Sequence, residues 1–130
     1  MLLFYLDTYP KAKIRFYAGN MILHIESDAA HLILLGICSR IVGRFYLHTP
    51  AHPNKLYVKC YNGPIHVKCS TITNAVSSAA EAECGGIFHN CTMAIGIQNT
   101  LNAIGYLQEK IEVITDIIQQ QIVLCVQKCM

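Results

Sequence analysis

The order of the predicted elements in this sequence indicates an α/β fold. Strand-like segments come first, one long helix follows, and a β-branched strand and a further helix end the chain, which is a βββαβα order. Two patterns support this order: side chains alternate in the strands, and a capping signal opens the long helix. A chain of 130 residues is one domain with room for a hydrophobic core.

The strands are predicted from the alternation of side chains along the chain. Segments with this pattern lie at residues 11–17, 21–28, 39–48, 56–60, 65–69 and 111–115. The first is interpreted as an edge strand, and the fourth and fifth as a hairpin around residues 61–64. In 21–28 one face is apolar, whereas the other carries His24, Glu26 and Asp28. That polar face is either exposed or part of a metal site, and His24 alone is interpreted as a structural or exposed residue.

The long helix is predicted over residues 79–103, with Gly105 at its end. Ser78 lies three residues before Glu81, the spacing of a capping box, so Glu81 is interpreted as part of the helix cap. Glu83 instead shares a helical stripe with Ile87, Cys91, Ala94 and Ile95. A lone charge on a buried stripe is costly. Glu83 therefore requires a partner, either a divalent metal or the dipole of the helix N-terminus.

A third acid, Asp116, follows the strand predicted at 111–115. The carboxyl end of a strand is a common place for chemistry in α/β folds, and Asp116 is equally suited to cap a following helix. Three acids from separate elements, Asp28, Glu83 and Asp116, could then bind two Mg²⁺ (or Mn²⁺) ions about 4 Å apart and hydrolyse a phosphodiester. Carboxylate oxygens are the ligands that Mg²⁺ prefers.

Several segments resemble the ribonuclease H domain of copia-type LTR retrotransposon polymerases. They are residues 14–18, 21–29, 39–47, 62–65, the Ser-Ser-Ala-Ala-Glu-Ala-Glu run at 77–83, and 114–116. The resemblance implies an RNase H-like mixed sheet with three antiparallel strands, a long helix, a parallel fourth strand and a C-terminal helix. It also implies that Asp28, Glu83 and Asp116 are the metal ligands and that the substrate is the RNA strand of an RNA/DNA hybrid.

The sequence departs from that family at its end. Ile117 stands where the family has Asn, and no fourth acid or last strand is predicted before Met130. We therefore expect a remnant of an upstream helix or linker at 1–10, an RNase H-like domain at 11–117 and a divergent helix at 118–130. The upstream polymerase domain is not found in this chain.

The sequence leaves three functions open: a nuclease, an inactive RNase H-like relic, and an interaction module that forms homo-oligomers through an exposed sheet edge. Four cations are candidates for phosphate contacts: Arg40, Arg44, Lys59 and Lys68. The net charge of +2 does not by itself indicate nucleic-acid binding. Seven cysteines without a paired spacing indicate a reducing compartment, cytoplasm or nucleus, rather than secretion. No apolar run is long enough to span a membrane.

Overall fold

The fold is a mixed sheet with one long helix packed on one of its faces. The computed structural model describes residues 2–34, 38–50, 60–73, 76–115 and 122–124. Its elements in chain order are α1 (Leu2–Thr8), β1 (Ile22–Leu34), β2 (Cys38–Thr49), β3 (Cys60–Ile72), α2 (Ala79–Ala103), β4 (Ile111–Thr115) and β5 (Ile122–Leu124).

The strands form one sheet in the order β3-β2-β1-β4-β5. Strands β1, β2 and β3 are antiparallel neighbours, and β4 pairs with β1 in parallel. The α2 helix provides the crossover that a parallel connection requires. The predicted α/β class, with three antiparallel strands, a long helix and a parallel fourth strand, is therefore confirmed.

The hydrophobic core lies between α2 and the centre of the sheet. Its largest cluster joins all three inner strands to the second half of the helix, through Leu23, Ile25, Phe45, Ala94, Leu101, Ile111 and Val113. Alternation explains which strand residues take part, since Leu23, Ile25 and Ser27 all face α2. The opposite face of the sheet, which we call the open face, carries the intervening residues of each strand.

The first turns of α2 approach the sheet closely because small residues face it. A Cβ atom added to Gly86 would lie 3.3 Å from Ile41 and 3.5 Å from Ser27. The expectation that glycines near Glu83 bring the helix close to the sheet is confirmed at Gly86. The helix ends as predicted, because Gly105 has φ +97 and Tyr106 N donates to Leu101 O at 2.9 Å, a glycine-dependent C-terminal motif.

Two predicted elements that precede α2 are wrong. Residues 12–18 form no strand, and the backbone N–H and C=O of Tyr17 bond the side chain of Asn62 instead of a neighbouring strand. The predicted hairpin at 61–64 is absent, because Cys60–Ile72 is a single strand. Pro64, which lacks an N–H, lies where the β2–β3 register shifts. Proline is tolerated inside a strand at such an irregularity.

The C-terminal helix expected at 118–130 is wrong for the part that the structure describes. Residues Ile122–Leu124 form β5, which pairs antiparallel with β4. The β-branched Ile122 and Val123 favour a strand once the edge of β4 offers hydrogen bonds. This strand covers the edge of β4, so the expectation that the last strand is missing is also corrected.

Two further findings concern membrane-spanning helices and the cysteines. No helix among the described residues is long and apolar enough to cross a membrane. Cys69, Cys84 and Cys91 are free thiols.

Candidate active site

The site is organised by the N-terminus of α2, where two serines and Glu81 cap the helix. Ser78 has an extended backbone, and its hydroxyl accepts a hydrogen bond from Glu81 N at 3.1 Å. The Glu81 carboxylate receives bonds of 2.7 Å from the backbone N–H and the hydroxyl of Ser77. The predicted cap is confirmed, although the glutamate bonds Ser77 rather than Ser78. The backbone N–H bond, followed by the hydroxyl bond, lowers the pKa of Glu81.

Glu83 is buried one half-turn further along α2, with 6 % of its surface exposed. Its Oε1 atom accepts a hydrogen bond from Ala29 N at 3.0 Å. Its Oε2 atom accepts one from the Thr115 hydroxyl at 3.0 Å. The carboxylate therefore joins the helix to the carboxyl end of β4 and to β1 at the point where their parallel pairing ends, at Ser27 and Thr115. The prediction that Glu83 is buried and partnered is confirmed, and its described partners are a backbone amide and a hydroxyl.

The two remaining acids flank the groups that Glu83 binds. Asp28 immediately precedes Ala29, and Asp116 immediately follows Thr115. Asp116 lies outside the described residues. Asp28 is exposed and pairs with Val42, so its side chain lies on the open face, whereas Glu83 approaches from the α2 face. A cavity of about 350 Å³ adjoins Asp28, with Glu26, Val42 and Ile114 in its wall.

The four candidate cations do not form one surface. Arg44 donates to Glu26 at 2.8 Å on the open face, which also carries the exposed Arg40. Lys68 is the register partner of Gly43 and therefore lies on the α2 face. Lys59 lies outside the described residues. Burial first, and then the charge of Glu26, raises the pKa of Tyr46. Glu26 therefore interacts with both Arg44 and Tyr46, and these two side chains would compete with any ligand of its carboxylate.

Sequence reasoning missed two groups of functional interest. Thr115 was not expected to bind Glu83, although its place beside Asp116 could have suggested it. The second group is His24, His48 and Glu112, whose ligand atoms all lie within 4.8 Å of one another. The polar alternation in 21–28 already singled out His24 as a candidate. Its partners His48 and Glu112 come from β2 and β4, so the sequence could not identify them without the register of the sheet. These three residues could hold a metal ion.

No family model, curated protein or solved structure matches the chain.

Proposed function

We propose that the chain is an RNase H-like domain that hydrolyses the RNA strand of RNA/DNA hybrids with Mg²⁺ or Mn²⁺. One observation carries the proposal: the buried Glu83 carboxylate lies where the parallel pairing of β1 with β4 ends, bonded to Ala29 N and Thr115 Oγ1. These are the neighbours in sequence of the two other predicted ligands, Asp28 and Asp116. Ligand sites in open α/β sheets favour the carboxyl ends of parallel strands, and Thr115 is the last residue of β4.

The donor set fits a hard divalent cation. All three proposed ligands are carboxylates, and each described oxygen of Glu83 accepts one hydrogen bond, which leaves further lone pairs for a metal. Bound metal ions would activate the attacking water and stabilise the leaving oxygen of the phosphodiester. Glu83 is fixed by its two bonds and would bind without reorientation, whereas Asp28 is exposed.

A second candidate is a catalytically inactive domain that binds nucleic acid or a second copy of the chain. The observation in its favour is that the Asp28 carboxylate lies on the open face while Glu83 stabilises the opposite face. In this case Glu83 is a structural clamp between α2, β1 and β4. Binding would then use the open face, with Arg40 and Arg44, or the edge of β3.

The test is cleavage of an end-labelled RNA/DNA hybrid in Mg²⁺ and then in Mn²⁺. We expect cleavage by the wild type and its loss in Asp28→Asn and Glu83→Gln. The matched control is Glu81→Gln, which changes a glutamate two residues away that only caps the helix and so should retain activity. Glu83→Gln keeps its shape, and the glutamine oxygen can still accept from Ala29 N, so circular dichroism should show a folded protein.

Two results would decide against the nuclease. Unchanged cleavage in Asp28→Asn would show that the activity arises elsewhere. No cleavage in either metal by a folded wild type would favour the inactive domain, and hybrid titration together with light scattering would then separate nucleic-acid binding from self-association.

A further inference from the structure

A second group of polar side chains lies on the open face, away from the α2 face on which Glu83 lies. It consists of His24 in β1, His48 in β2 and Glu112 in β4, which we call the His–Glu cluster. His24 and Glu112 are partners in the parallel β1–β4 register, and His48 pairs with Ile22, two residues before His24. Alternation therefore turns all three side chains to the same face. Three strands of fixed register position the cluster, so it does not depend on a mobile loop.

The histidines of the cluster are buried although they lie on the face that α2 leaves open. His24 is 0 % exposed and His48 is 3 % exposed. Among the described residues, neither ring nitrogen of His48 has a hydrogen bond. A buried imidazole without a hydrogen bond is costly. The Glu112 carboxylate lies 3.5 Å from His24 Nδ1 and 3.7 Å from His48 Nε2, which is too long for good hydrogen bonds.

These separations are close to those that a bound metal would impose. Bonds of about 2.0–2.1 Å from a tetrahedral Zn²⁺ place neighbouring ligand atoms about 3.3 Å apart. Small shifts of the two nitrogens towards the same oxygen, Glu112 Oε2, would bring both nitrogen–oxygen separations to that value, and all three ligand atoms already lie within 4.8 Å of one another. The ring of Tyr61 packs against both histidines, with centroid distances of 5.0 Å to His24 and 5.7 Å to His48, and so restricts the rotation of both rings.

The site also has a place for a fourth ligand. A cavity of about 300 Å³ is lined by His48 and Glu112 together with Gln108, Glu109 and Lys110. It gives water or a small ligand access to the cluster from solvent. Two imidazoles, one carboxylate and an open position are a donor set typical of catalytic zinc sites. Mg²⁺ is excluded by this chemistry, since it requires oxygen ligands.

We propose that His24, His48 and Glu112 bind one Zn²⁺ ion with water in the fourth position. The site is distinct from the proposed carboxylate site in its ligands, in its metal preference and in its place near the amino ends of β1 and β4. It does not depend on the nuclease proposal, because its three ligands are other residues.

The experiment is a competition titration of the chelator-treated full chain with Zn²⁺ against a chromophoric chelator. We expect one equivalent to bind in the wild type. Affinity should fall by at least about 100-fold in His48→Ala and in Glu112→Gln, because even outer-shell changes cost about 10–100-fold. The control His89→Gln replaces an exposed histidine on α2 and should bind as the wild type does.

Co²⁺ substitution supplies a readout that folding defects would not imitate. The visible spectrum of the Co²⁺ protein should be that of nitrogen and oxygen ligands, without a thiolate charge-transfer band. Glu112→Gln should abolish this visible spectrum, while its far-ultraviolet circular dichroism stays that of a folded protein. A thiolate band would show that cysteines bind the metal instead and would overturn the proposal. Equal affinity in wild type and Glu112→Gln, or no one-to-one binding at all, would overturn it as well.

Discussion

Asn90 is the clearest case in which one residue determines how closely the two layers approach. Its amide nitrogen donates to Ser27 Oγ at 2.9 Å and to Val42 O at 3.1 Å. It is fully buried over Gly43, and a Cβ atom on that glycine would lie 2.7 Å from Asn90 Cγ. The helix thus places a polar side chain where the strand has no side chain of its own.

This fit leads to a prediction for Gly43→Ala. The added methyl group overlaps the Asn90 amide, so we expect a loss of about 1–3 kcal/mol in the free energy of unfolding, as for other overpacked cores. The measurement is urea denaturation. In the Asn90→Ala background the obstruction is absent, so Gly43→Ala should lower the free energy of unfolding by less. The coupling energy between the two sites should be about 0.5–3 kcal/mol.

A control without an obstruction is Gly96→Ala in α2, the helix that carries Asn90, where nothing lies within 4 Å of the added Cβ. It should stabilise the protein by up to about 1 kcal/mol, since alanine is the better helix former. An equal cost for Gly43→Ala in both backgrounds would mean that Asn90 is not the obstacle.

At the scale of elements, the sequence predicted the position of α2 correctly but not which of its residues are buried against the sheet. The buried positions are Ala82, Glu83, Gly86, Asn90, Ala94, Gln98 and Leu101. Most are small or polar, whereas Ile95 of the predicted stripe is 46 % exposed. A periodicity rule assigns large apolar residues to the core, but a helix lying close to a sheet requires small ones there. The bounds 79–103 could be predicted because the cap and Gly105 are local signals.

Strand pairing was predictable to a lesser degree, because pairing partners are set by the rest of the chain. The alternation at 21–28 and 111–115 identified β1 and β4, and their parallel pairing does end beside Glu83, at Ser27 and Thr115. The Asn-Gly-Pro sequence at 62–64 indicated a turn, yet β2 provides a partner strand along its whole length. Likewise, nothing local links His48 to Glu112, which only the sheet order brings together.

The cap of α2 gives a prediction about pH. The backbone N–H and hydroxyl of Ser77 lower the pKa of Glu81 from its ordinary value of 4.5. A carboxyl whose pKa is lower in the folded state stabilises the fold above its unfolded pKa, and this contribution is lost as the pH falls through the folded value. The stability advantage of the wild type over Glu81→Gln should therefore be present at about pH 7 and shrink below about pH 4.5.

The measurement is the denaturation midpoint of both proteins across that range. Glu109→Gln, an exposed glutamate outside the helix, serves as the control for general charge effects. Ser78→Ala should cost about 1 kcal/mol at neutral pH, as expected for the loss of an N-cap. A wild-type advantage that grows on acidification would contradict the assigned role of Glu81.

At the scale of the whole molecule, one helix covers one face of the sheet and the opposite face carries both the Asp28 cavity and the His–Glu cluster. Separation of α2 from the sheet would expose the main core, since Ala94 and Leu101 pack against the inner strands. Local opening of this layer should therefore be rare, and groups at the interface should react slowly with reagents in solution.

Two cysteines of α2 can report on this opening. Cys84 is exposed, Cys91 is half-buried against the core, and burial raises the pKa of the Cys91 thiol. Because the thiolate is the species that reacts, iodoacetamide should label Cys84 faster than Cys91 in the native protein, as measured by peptide mass spectrometry. The labelling rate of Cys91 should also begin to rise at a higher pH in the native protein than in the denatured protein.

The denatured protein is the control, since both thiols then have the same environment and should react at similar rates. The raised pKa of Cys91 also makes its contribution to stability fully present below its unfolded pKa of about 9.0 and lost as the pH rises through the folded value. Equal labelling of the two cysteines without denaturant would show that α2 separates from the sheet freely. In that case the bonds from Glu83 to Ala29 and Thr115 would not hold the layers together, and the nuclease proposal, which depends on them, would lose its support.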